Sequence, residues 1–295
     1  MNQNEKFEQV IQKIYPQSTL LQTWNLIGGV SVQGTALEIR QANGQLKKLV
    51  VRQHGKLDLK QNPHIANDEF KLLQILKAQG LAVPTPYYFD QTPYLVIEYI
   101  EGETEFEPAH SNEFTSQLAN QLFRIHQADF SKLDFLPQQE LVYRTKFSNR
   151  PSLLDESLNE GSIRDILEAA WSFPQSNKSA LLHGDFWLGN ILWKNGQIAA
   201  VIDWEDANIG DPLADVANAR LEILWALGNE AMQTFTDYYK TIANLDFTNL
   251  AYWDLCAALK PAFKLSEWAA DELAEKRMRE RHKLFVTHAF EKLTL

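Results

Sequence analysis

The hydrophobic pattern of the chain changes near residue 104, and this change limits the folds that the chain can adopt. Residues 24–100 contain short strand-like runs, and Asn43-Gly44 between two of them is a strong hairpin signal. From residue 104 onwards apolar residues recur at helical spacing, except in residues 180–204, which hold two more strand-like runs. The sequence therefore predicts an α+β protein in which a small β-rich part precedes a larger, mainly helical part.

These two parts correspond to two predicted lobes. The chain has 295 residues, which is enough for two ordinary domains or one large two-lobed domain. We place the N-terminal lobe at residues 1–101 and the C-terminal lobe at residues 102–295. Ligand sites form preferentially where two domains meet, so a site that uses residues of both parts is expected between them.

The charge and the cysteine content of the chain exclude several classes of function. The formal net charge is -10, which argues against a nucleic-acid partner and against binding to an anionic membrane. Cys256 is the sole cysteine, so no intrachain disulfide can form and a reducing compartment is expected. Residues 1–15 read as an amphipathic helix rather than a signal peptide, and no apolar run reaches the roughly 20 residues that span a bilayer. We therefore expect a cytoplasmic protein, whose oligomeric state cannot be predicted.

A group of polar side chains interrupts the apolar stretch LLHGDFWLGNILW at residues 181–193. Asp185 and Asn190 lie in this stretch, and Asp203 ends the apolar run AAVIDW. Asn195-Gly196 indicates a tight turn between two strand-like runs, so a hairpin would bring Asn190 and Asp203 to the same end. Amide and carboxylate oxygens are hard ligands suited to Mg²⁺, and Asp185 nearby is free to accept a proton. This combination is typical of phosphoryl transfer.

The motif resembles that of the aminoglycoside phosphotransferase and choline kinase family of small-molecule kinases. The residues that carry the resemblance are HGDFWLGNIL followed by VIDWEDANIGDPLADVA, and the similarity extends over about residues 20–265. It implies a protein-kinase-like two-lobed fold that uses ATP and Mg²⁺ to phosphorylate a hydroxyl of a small molecule. Asp185 would act on the hydroxyl, and Asn190 and Asp203 would hold the metal. The N-terminal lobe would bind nucleotide and the C-terminal lobe the acceptor. The alternative is a structural turn with polar caps, but a cap explains one such residue rather than three.

The nucleotide site has further candidates upstream. Gly28 and Gly29 lie in IGGVSVQGTALEI, where glycines would let backbone N–H groups approach phosphates, although an ordinary glycine turn is an equal alternative. The resemblance implies that the run PYLVIEYIEG links the lobes and that its backbone at Glu98 and Ile100 meets adenine. No P-loop motif is present to hold phosphates in another way.

A phosphate-binding cation and its carboxylate partner are also expected in the N-terminal lobe. Arg52 ends the apolar run LVV, and its fork of donors can grip two phosphate oxygens. Lys47 and Lys48 are alternatives near the predicted hairpin turn. Glu69 shares an apolar helical face, where a carboxylate needs a partner, so we predict that it holds Arg52. A surface pair within the helix is the alternative for Glu69.

Three more residues near the motif have expected roles. The resemblance implies that Asp215 supports the catalytic loop. His183 is interpreted as structural, bonding backbone groups around the loop, and Asp211 before Pro212 as a helix N-cap.

The acceptor and the exact activity stay open at this point. Choline or ethanolamine kinase, homoserine kinase and ketosamine kinase are alternatives within the family. A non-catalytic nucleotide-binding regulator is another alternative, which would be marked by loss of Asp185 or Asp203. A protein kinase is disfavoured because Gly184 replaces the usual Arg and no activation-segment motif follows. A cationic acceptor is a further hypothesis, against which an ordinary acidic surface is an equal explanation. It is based on carboxylates of the C-terminal part, namely Glu205, Asp206, Glu222, Asp271 and Glu272.

Overall fold

Backbone contacts divide the chain into two compact units, which are described separately. The first unit comprises residues 1–103 and 192–205, and the second comprises residues 104–191 and 206–295. The structure is a computed structural model that describes residues 3–26, 32–55, 59–60, 62–90, 94–171 and 176–294. Among the described residues, no helix combines the length and the apolar character needed to cross a membrane.

The described strands and helices have the following bounds. The strands are β1 (Thr19–Asn25), β2 (Val32–Arg40), β3 (Leu46–His54), β4 (Pro86–Phe89), β5 (Tyr94–Glu98), β6 (Ala180–Leu182), β7 (Ile191–Lys194), β8 (Gln197–Val201) and β9 (Asn208–Gly210). The helices are α1 (Gln3–Ile14), α2 (Ile65–Ala78), α3 (Ser111–His126), α4 (Gln139–Ser148), α5 (Glu160–Ala170), α6 (Leu213–Leu227), α7 (Asn229–Ile242), α8 (Leu250–Ala258), α9 (Leu265–Trp268) and α10 (Glu272–Leu293). Two short 3₁₀ helices cover Glu156–Leu158 and Leu188–Asn190.

The first unit is built on a five-stranded antiparallel sheet with the order β1-β2-β3-β5-β4. The predicted hairpin joins β2 to β3, with Arg40 opposite Leu46, and Gly44 in its turn has a φ of 82° that suits glycine. β3 is the central strand, so Arg52 near its end is flanked on both sides by backbone, with Gly34 opposite on β2 and Leu95 opposite on β5.

The two faces of this sheet carry different side chains. Phe7, Val10 and Ile11 of α1 pack against one face, together with Leu49 and Val51 of β3. Side chains alternate along a strand, so the neighbouring Arg52 points to the opposite face. The helix α2 lies on that opposite face, since its Glu69 contacts Arg52. This helix buries one apolar stripe, which holds Leu72, Leu73, Leu76 and Glu69.

The hairpin of β7 and β8 also contributes to the first unit. Glu103 and Trp193 exchange two backbone hydrogen bonds, of 3.0 and 2.8 Å, and Val201 N–H donates to the carbonyl of Ala82 at 2.7 Å. Asn195 and Gly196 in its turn have φ values of 53° and 73°, which is the backbone of a tight two-residue hairpin.

The second unit is mainly helical. α3 packs on α7, and α6 packs on α7 and α8, with α10 against α8. α6 is buried almost all round, which is typical of a helix at the centre of a bundle. The short strands β6 and β9 pair in antiparallel fashion beside this bundle, with Leu182 opposite Asn208. A sheet-based first part followed by a mainly helical part confirms the predicted α+β fold.

Candidate active site

The motif around Asp185 forms a loop that follows β6 in the second unit. His183 is completely buried, and Gly184 has a φ of 81°. A Cβ atom at Gly184 would lie 2.2 Å from the carbonyl oxygen of Asp206, so the loop accepts only glycine here. The Arg that protein kinases have at this position is therefore excluded by the backbone of Asp206.

Asp215 of α6 holds the start of this loop. Its carboxylate accepts hydrogen bonds from the backbone N–H of His183 at 2.6 Å and of Gly184 at 2.9 Å, and His126 lies 3.4 Å away. Burial alone would raise the pKa of Asp215, but the hydrogen bond and charge of His126 and the contacts of His183 outweigh it and lower the pKa. Asp215 is therefore a permanently charged anchor for the loop.

Asp185 and Asn190 contact each other within the loop. The amide Nδ2 of Asn190 donates to the backbone carbonyl of Asp185 at 3.0 Å and to its Oδ2 at 3.2 Å. The ring Nδ1 of His183 lies 3.3 Å from the backbone N–H of Asp185, which agrees with the structural role expected for that histidine. Because Asn190 uses its nitrogen for these bonds, its amide oxygen is left without a hydrogen-bond donor among the described residues. That oxygen is available to a ligand.

Lys260 is a neighbour of Asp185 that the sequence analysis missed. It follows α8, and its ammonium donates to the carbonyl of Gly184 at 2.9 Å and lies 3.3 Å from Oδ1 of Asp185. Burial alone would lower the pKa of Lys260, but the charges of Asp185 and Asp206, together with that of Glu222 in its ionised form, outweigh it and raise the pKa. Lys260 is therefore charged and offsets the charge of Asp185. No local pattern distinguishes it, because 75 residues separate it from Asp185.

Glu222 of α6 was also missed as a neighbour of Asp185. Burial, and then the negative charge of Asp185, raises the pKa of the half-buried Glu222 to about 8. Its side chain is therefore mostly protonated at neutral pH, and it can donate a hydrogen bond.

Arg52 and Glu69 meet in the first unit. Nη1 of Arg52 lies 3.4 Å from Oε1 of Glu69, and the two side chains are 9% and 2% exposed. Arg52 also contacts Asp203 at 2.5 Å and Glu205 at 3.5 Å. Burial would lower the pKa of Arg52, but Glu69, Asp203 and Glu205 outweigh it and raise the pKa, so Arg52 stays charged. Burial also raises the pKa of Glu69, against the pull of Arg52.

Asp203 leaves the strand β8 in a left-handed conformation, with a φ of 67°. Asp and Asn tolerate this region better than other residues with a Cβ atom. The turn is fixed by Trp204, which is buried and donates its ring N–H to the carbonyl of Val201 at 3.0 Å. The conformation turns the carboxylate of Asp203 towards Arg52.

His54 is a third part of this cluster that sequence reasoning did not find. It lies two residues after Arg52 on the same strand face, with its Nε2 3.4 Å from Glu69 and its Nδ1 3.8 Å from Glu205. Burial, and then the charge of Arg52, lowers the pKa of His54 to about 4, so the ring is neutral at neutral pH. The cluster thus combines one cation with three carboxyl groups, and burial raises the pKa of one of them, Glu69, to about 7.

The remaining candidates of the nucleotide site are placed as follows. Gly28 and Gly29 lie outside the described residues. Glu98 ends β5, and its carboxylate accepts hydrogen bonds from the N–H and the hydroxyl of Thr85 at 3.0 and 2.6 Å. The contact of adenine with the backbone at Glu98 and Ile100 stays a prediction.

The alternatives to Arg52 have other partners. Lys48 forms an exposed ion pair with Glu101 at 2.9 Å, and Lys47 lies 4.5 Å from the ring centre of Tyr87. Some carboxylates behind the hypothesis of a cationic acceptor are also engaged elsewhere. Glu205 contacts Arg52, and Asp271 caps α10 by accepting from the N–H of Ala274 at 2.7 Å.

The chemistry of these groups fits a metal that arrives with a nucleotide. Among the described residues, no three side chains of His, Cys, Asp or Glu come together as a metal site. Mg²⁺ in nucleotide enzymes takes one or two protein oxygens and completes its shell with phosphates and water. The amide oxygen of Asn190 and the carboxylate of Asp203 are oxygen groups of the chemical kind that Mg²⁺ prefers, and their role as metal ligands stays a prediction.

Comparison with known proteins gives a family match over most of the chain. Residues 37–253 match the phosphotransferase enzyme family. The Mus musculus protein named acyl-CoA dehydrogenase family member 10 is 27% identical over 195 residues, which are 58% of this chain and 18% of that protein. The chain therefore spans less than a fifth of that relative's length.

Solved structures share the fold over nearly the whole chain. The choline kinase LicA from Streptococcus pneumoniae has a TM-score of 0.62 at 19% identity, covering 99% of this chain and 98% of that one. An amicoumacin kinase in complex with AMP-PNP and Ca²⁺ has a TM-score of 0.66 at 15% identity, covering 98% of this chain and 94% of that one. At these identities the likeness concerns the fold.

Proposed function

The chain belongs to the phosphotransferase enzyme family, and from this we propose that it transfers the γ-phosphoryl group of ATP to a hydroxyl of a small molecule. The observation that carries the proposal is the loop around Asp185, which Asp215 anchors through two backbone hydrogen bonds and which Asn190 bridges with its amide. A carboxylate held in this way, and partly exposed, is suited to receive a proton from a bound alcohol.

Asp185 is proposed to orient and deprotonate the acceptor hydroxyl. Phosphoryl transfer needs positioning and charge stabilisation more than covalent chemistry from the protein, and Asp185 supplies the positioning. Asn190 limits the rotation of the Asp185 carboxylate through the 3.2 Å hydrogen bond to its Oδ2. Lys260 lies 3.3 Å from Oδ1 of Asp185 and offsets its charge before the reaction.

The phosphates of ATP are assigned to a separate set of residues. Arg52, held by Glu69, is proposed to bind the α- and β-phosphates, and Gly28 and Gly29 to cover them. Asn190 and Asp203 would hold Mg²⁺, which neutralises charge on the β- and γ-phosphates when it is bound. The AMP-PNP and Ca²⁺ of the amicoumacin kinase complex support a nucleoside triphosphate with a divalent ion.

The base of the nucleotide is assigned to the backbone at the end of β5. The carbonyl of Glu98 and the N–H of Ile100 are proposed to pair with adenine. The Glu98 side chain is already bonded to Thr85, so this strand end is held in place before nucleotide binds.

A non-catalytic regulator of the same fold explains the chain less well. Binding a nucleotide alone does not need the loop of Asp185, its anchor Asp215 or the cation beside it. The names of the structural neighbours support small alcohols as acceptors, among them choline and amicoumacin. Aminoglycosides, ethanolamine, homoserine and ketosamines are the further candidates within the family.

The proposed function is tested by two substitutions that should fail in different ways. Asp185→Asn should lower kcat by about 10²- to 10⁴-fold, the range typical of a lost general base, while Mg·ATP binds as in the wild type. Asp203→Asn, in which asparagine keeps the positive φ, should abolish Mg²⁺-dependent turnover and weaken Mg·ATP binding. The measurements are ADP release with a panel of alcohols and calorimetric titration with Mg·ATP.

Asp134→Asn is the matched control, since Asp134 is an exposed aspartate of the second unit. It should leave both measurements unchanged. Near-wild-type turnover of Asp185→Asn would overturn the proposed mechanism, and near-wild-type turnover of both variants would overturn the kinase assignment.

A further inference from the structure

The second unit holds two half-buried lysines, Lys260 and Lys146, and the charge of Lys260 acts on Lys146. Lys260 is 3.3 Å from the Asp185 carboxylate and is hydrogen-bonded to the carbonyl of Gly184. Lys146 of α4 is half-buried, with its ammonium 5.5 Å from the ring centre of Tyr143. The described residues give Lys146 no carboxylate partner. A half-buried ammonium without a counter-charge is costly, and it indicates that an anion binds there.

Lys146 belongs to a wider positive cluster. Burial lowers the pKa of Lys146 to about 8; Cys256 opposes this change, and the charges of Lys260, Arg164 and Lys264 add to it. These charges act on Lys146 only because they lie near it, and Lys146 still carries its proton at neutral pH. A cation that binds here would be repelled by the whole cluster.

Arg164 of α5 gives a second and independent indication of a missing anion. Its side chain is 7% exposed, and its Nε donates to Oε1 of Glu160 at 2.8 Å. Its Nη1 is buried and has no hydrogen-bond partner among the described residues. Buried donors in native proteins are normally satisfied, so an acceptor atom, from a bound molecule or an ordered water, is expected at Nη1.

The nearby carboxylates do not reverse the sign of this region. Glu160 is engaged by Arg164, and Asp185 by Lys260. Glu222 is mostly protonated at neutral pH and is a hydrogen-bond donor to an anion rather than a counter-charge to a cation. Asp206 is the remaining carboxylate that acts on Lys260.

We propose that the acceptor is a hydroxy acid, which places its hydroxyl at Asp185 and its carboxylate at Lys146 and Arg164. The inference rests on the proposed function and adds the chemical class of the acceptor. In the reaction the hydroxyl oxygen bonds to the γ-phosphorus, the bond from that phosphorus to the β-phosphate oxygen breaks, and ADP leaves. The hydroxyl proton passes to Asp185. Lys260 offsets the charge of Asp185, so that an anionic acceptor is not repelled by the group that activates it.

The experiment compares acceptors that differ only in charge. ADP release is measured with wild-type protein, Mg·ATP and a series of hydroxy acids of short and medium chain length. Each acid is matched with its amide and with the amino alcohol of the same carbon skeleton. The hydroxy acid should have a kcat/KM at least about tenfold above that of either partner, because a charge-assisted hydrogen bond is lost in both.

Substitution of Lys146 tests whether this residue binds the carboxylate of the acceptor. Lys146→Met should raise the KM for the best hydroxy acid by about 10- to 150-fold, while the KM for its amide stays within about twofold. Lys146→Arg should restore part of the loss. Lys132→Met, at an exposed lysine of the same unit, is the control and should change neither KM. Calorimetric binding of the hydroxy acid, and the melting temperatures of the variants, separate acceptor binding from misfolding.

The outcomes distinguish failure of the inferred acceptor class from failure of the proposed function. A best acceptor that is an amino alcohol or an amide, or a Lys146→Met variant with an unchanged KM for the hydroxy acid, overturns the inference and leaves the phosphotransferase function intact. Mg·ATP binding without ADP release for any alcohol overturns the proposed function, and the inference falls with it.

Discussion

At the scale of single residues, Arg52 is a buried cation of the first unit. Its guanidinium is 9% exposed and contacts three carboxylates, those of Glu69, Asp203 and Glu205. Removing one member of a buried ion pair leaves its partners charged and without a counter-charge. This lowers the free energy of unfolding more than replacing the whole pair by apolar residues does. Arg52 is therefore expected to stabilise the first unit, in addition to its proposed role in binding the phosphates of ATP.

Replacing Arg52 should separate these two effects. Arg52→Ala should lower the free energy of unfolding by about 3 to 5 kcal/mol, because buried carboxylates lose their cation. Arg52→Lys keeps the charge but not the fork of donors, so it should lose less stability and still raise the KM for ATP. Urea unfolding and initial rates at varied ATP are the measurements. Lys48→Ala, at an exposed pair, is the control, and a KM effect of Lys48→Ala without one of Arg52→Lys would reverse the assignment.

Residue patterns identify some of these contacts and cannot identify others. Arg52 and Glu69 each carry a charge on an apolar strand or helix face, and that local conflict indicates a buried partner. Lys260 and Lys146 could not be identified in this way. Their neighbours come from helices that are distant in sequence, and a local hydrophobic pattern does not show how those helices pack. Glu222 stands in a helix that is buried almost all round, so its position beside Asp185 depends on how α6 is oriented in the bundle.

At the scale of elements, the pairing of α6 with α8 depends on an internal ion pair. Arg220 donates to both carboxylate oxygens of Asp254, at 3.0 and 3.1 Å, and also to the hydroxyl of Thr236 on α7. All three side chains are buried. One guanidinium thus connects three helices of the second unit.

Replacing one member of this ion pair should lower the free energy of unfolding more than replacing both members. Asp254→Ala should lower the free energy of unfolding by about 3 to 5 kcal/mol, because Arg220 is left buried without its counter-charge. The double variant with Arg220→Met and Asp254→Ala should recover part of that loss, since methionine fills similar space without a charge. Chemical denaturation of the single and double variants gives the comparison. A double variant less stable than Asp254→Ala would contradict this account.

The elements themselves could be predicted to different degrees. The predicted α+β order is confirmed. It could be predicted because the hydrophobic period and the two Asn-Gly turns are strong local signals. The pairing of β6 with β9 could not be foreseen, since each strand has three residues and the partners are joined through a long connection. The family assignment succeeded because a few polar residues in apolar surroundings carry most of the information.

At the scale of the whole molecule, buried histidines should make stability depend on pH. Burial lowers the pKa of His282 in α10 from 6.5 to about 4. Between these values the unfolded chain takes up a proton that the folded chain does not, so stability falls as the pH drops from 6.5 to 4. This lowering of the His282 pKa from 6.5 to about 4 corresponds to about 3 kcal/mol of stability.

His282→Phe should remove this contribution. The ring packs beside Trp225, with centroids 6.0 Å apart, so phenylalanine preserves the contact without the titration. The variant should lose about 3 kcal/mol less than the wild type between pH 6.5 and pH 4, measured by urea unfolding at several pH values. Parallel stability curves for the two proteins would show that His282 is not the titrating group.

The first unit is discontinuous in sequence, and this has an evolutionary consequence. Asp203 and Glu205, which contact Arg52, belong to the segment 192–205 that interrupts the second unit. Recombination with a single crossover near residue 103 would combine Arg52 with a segment 192–205 from a different parent sequence. The two segments of the first unit must therefore come from the same parent sequence if the contacts of Arg52 with Asp203 and Glu205 are to be kept.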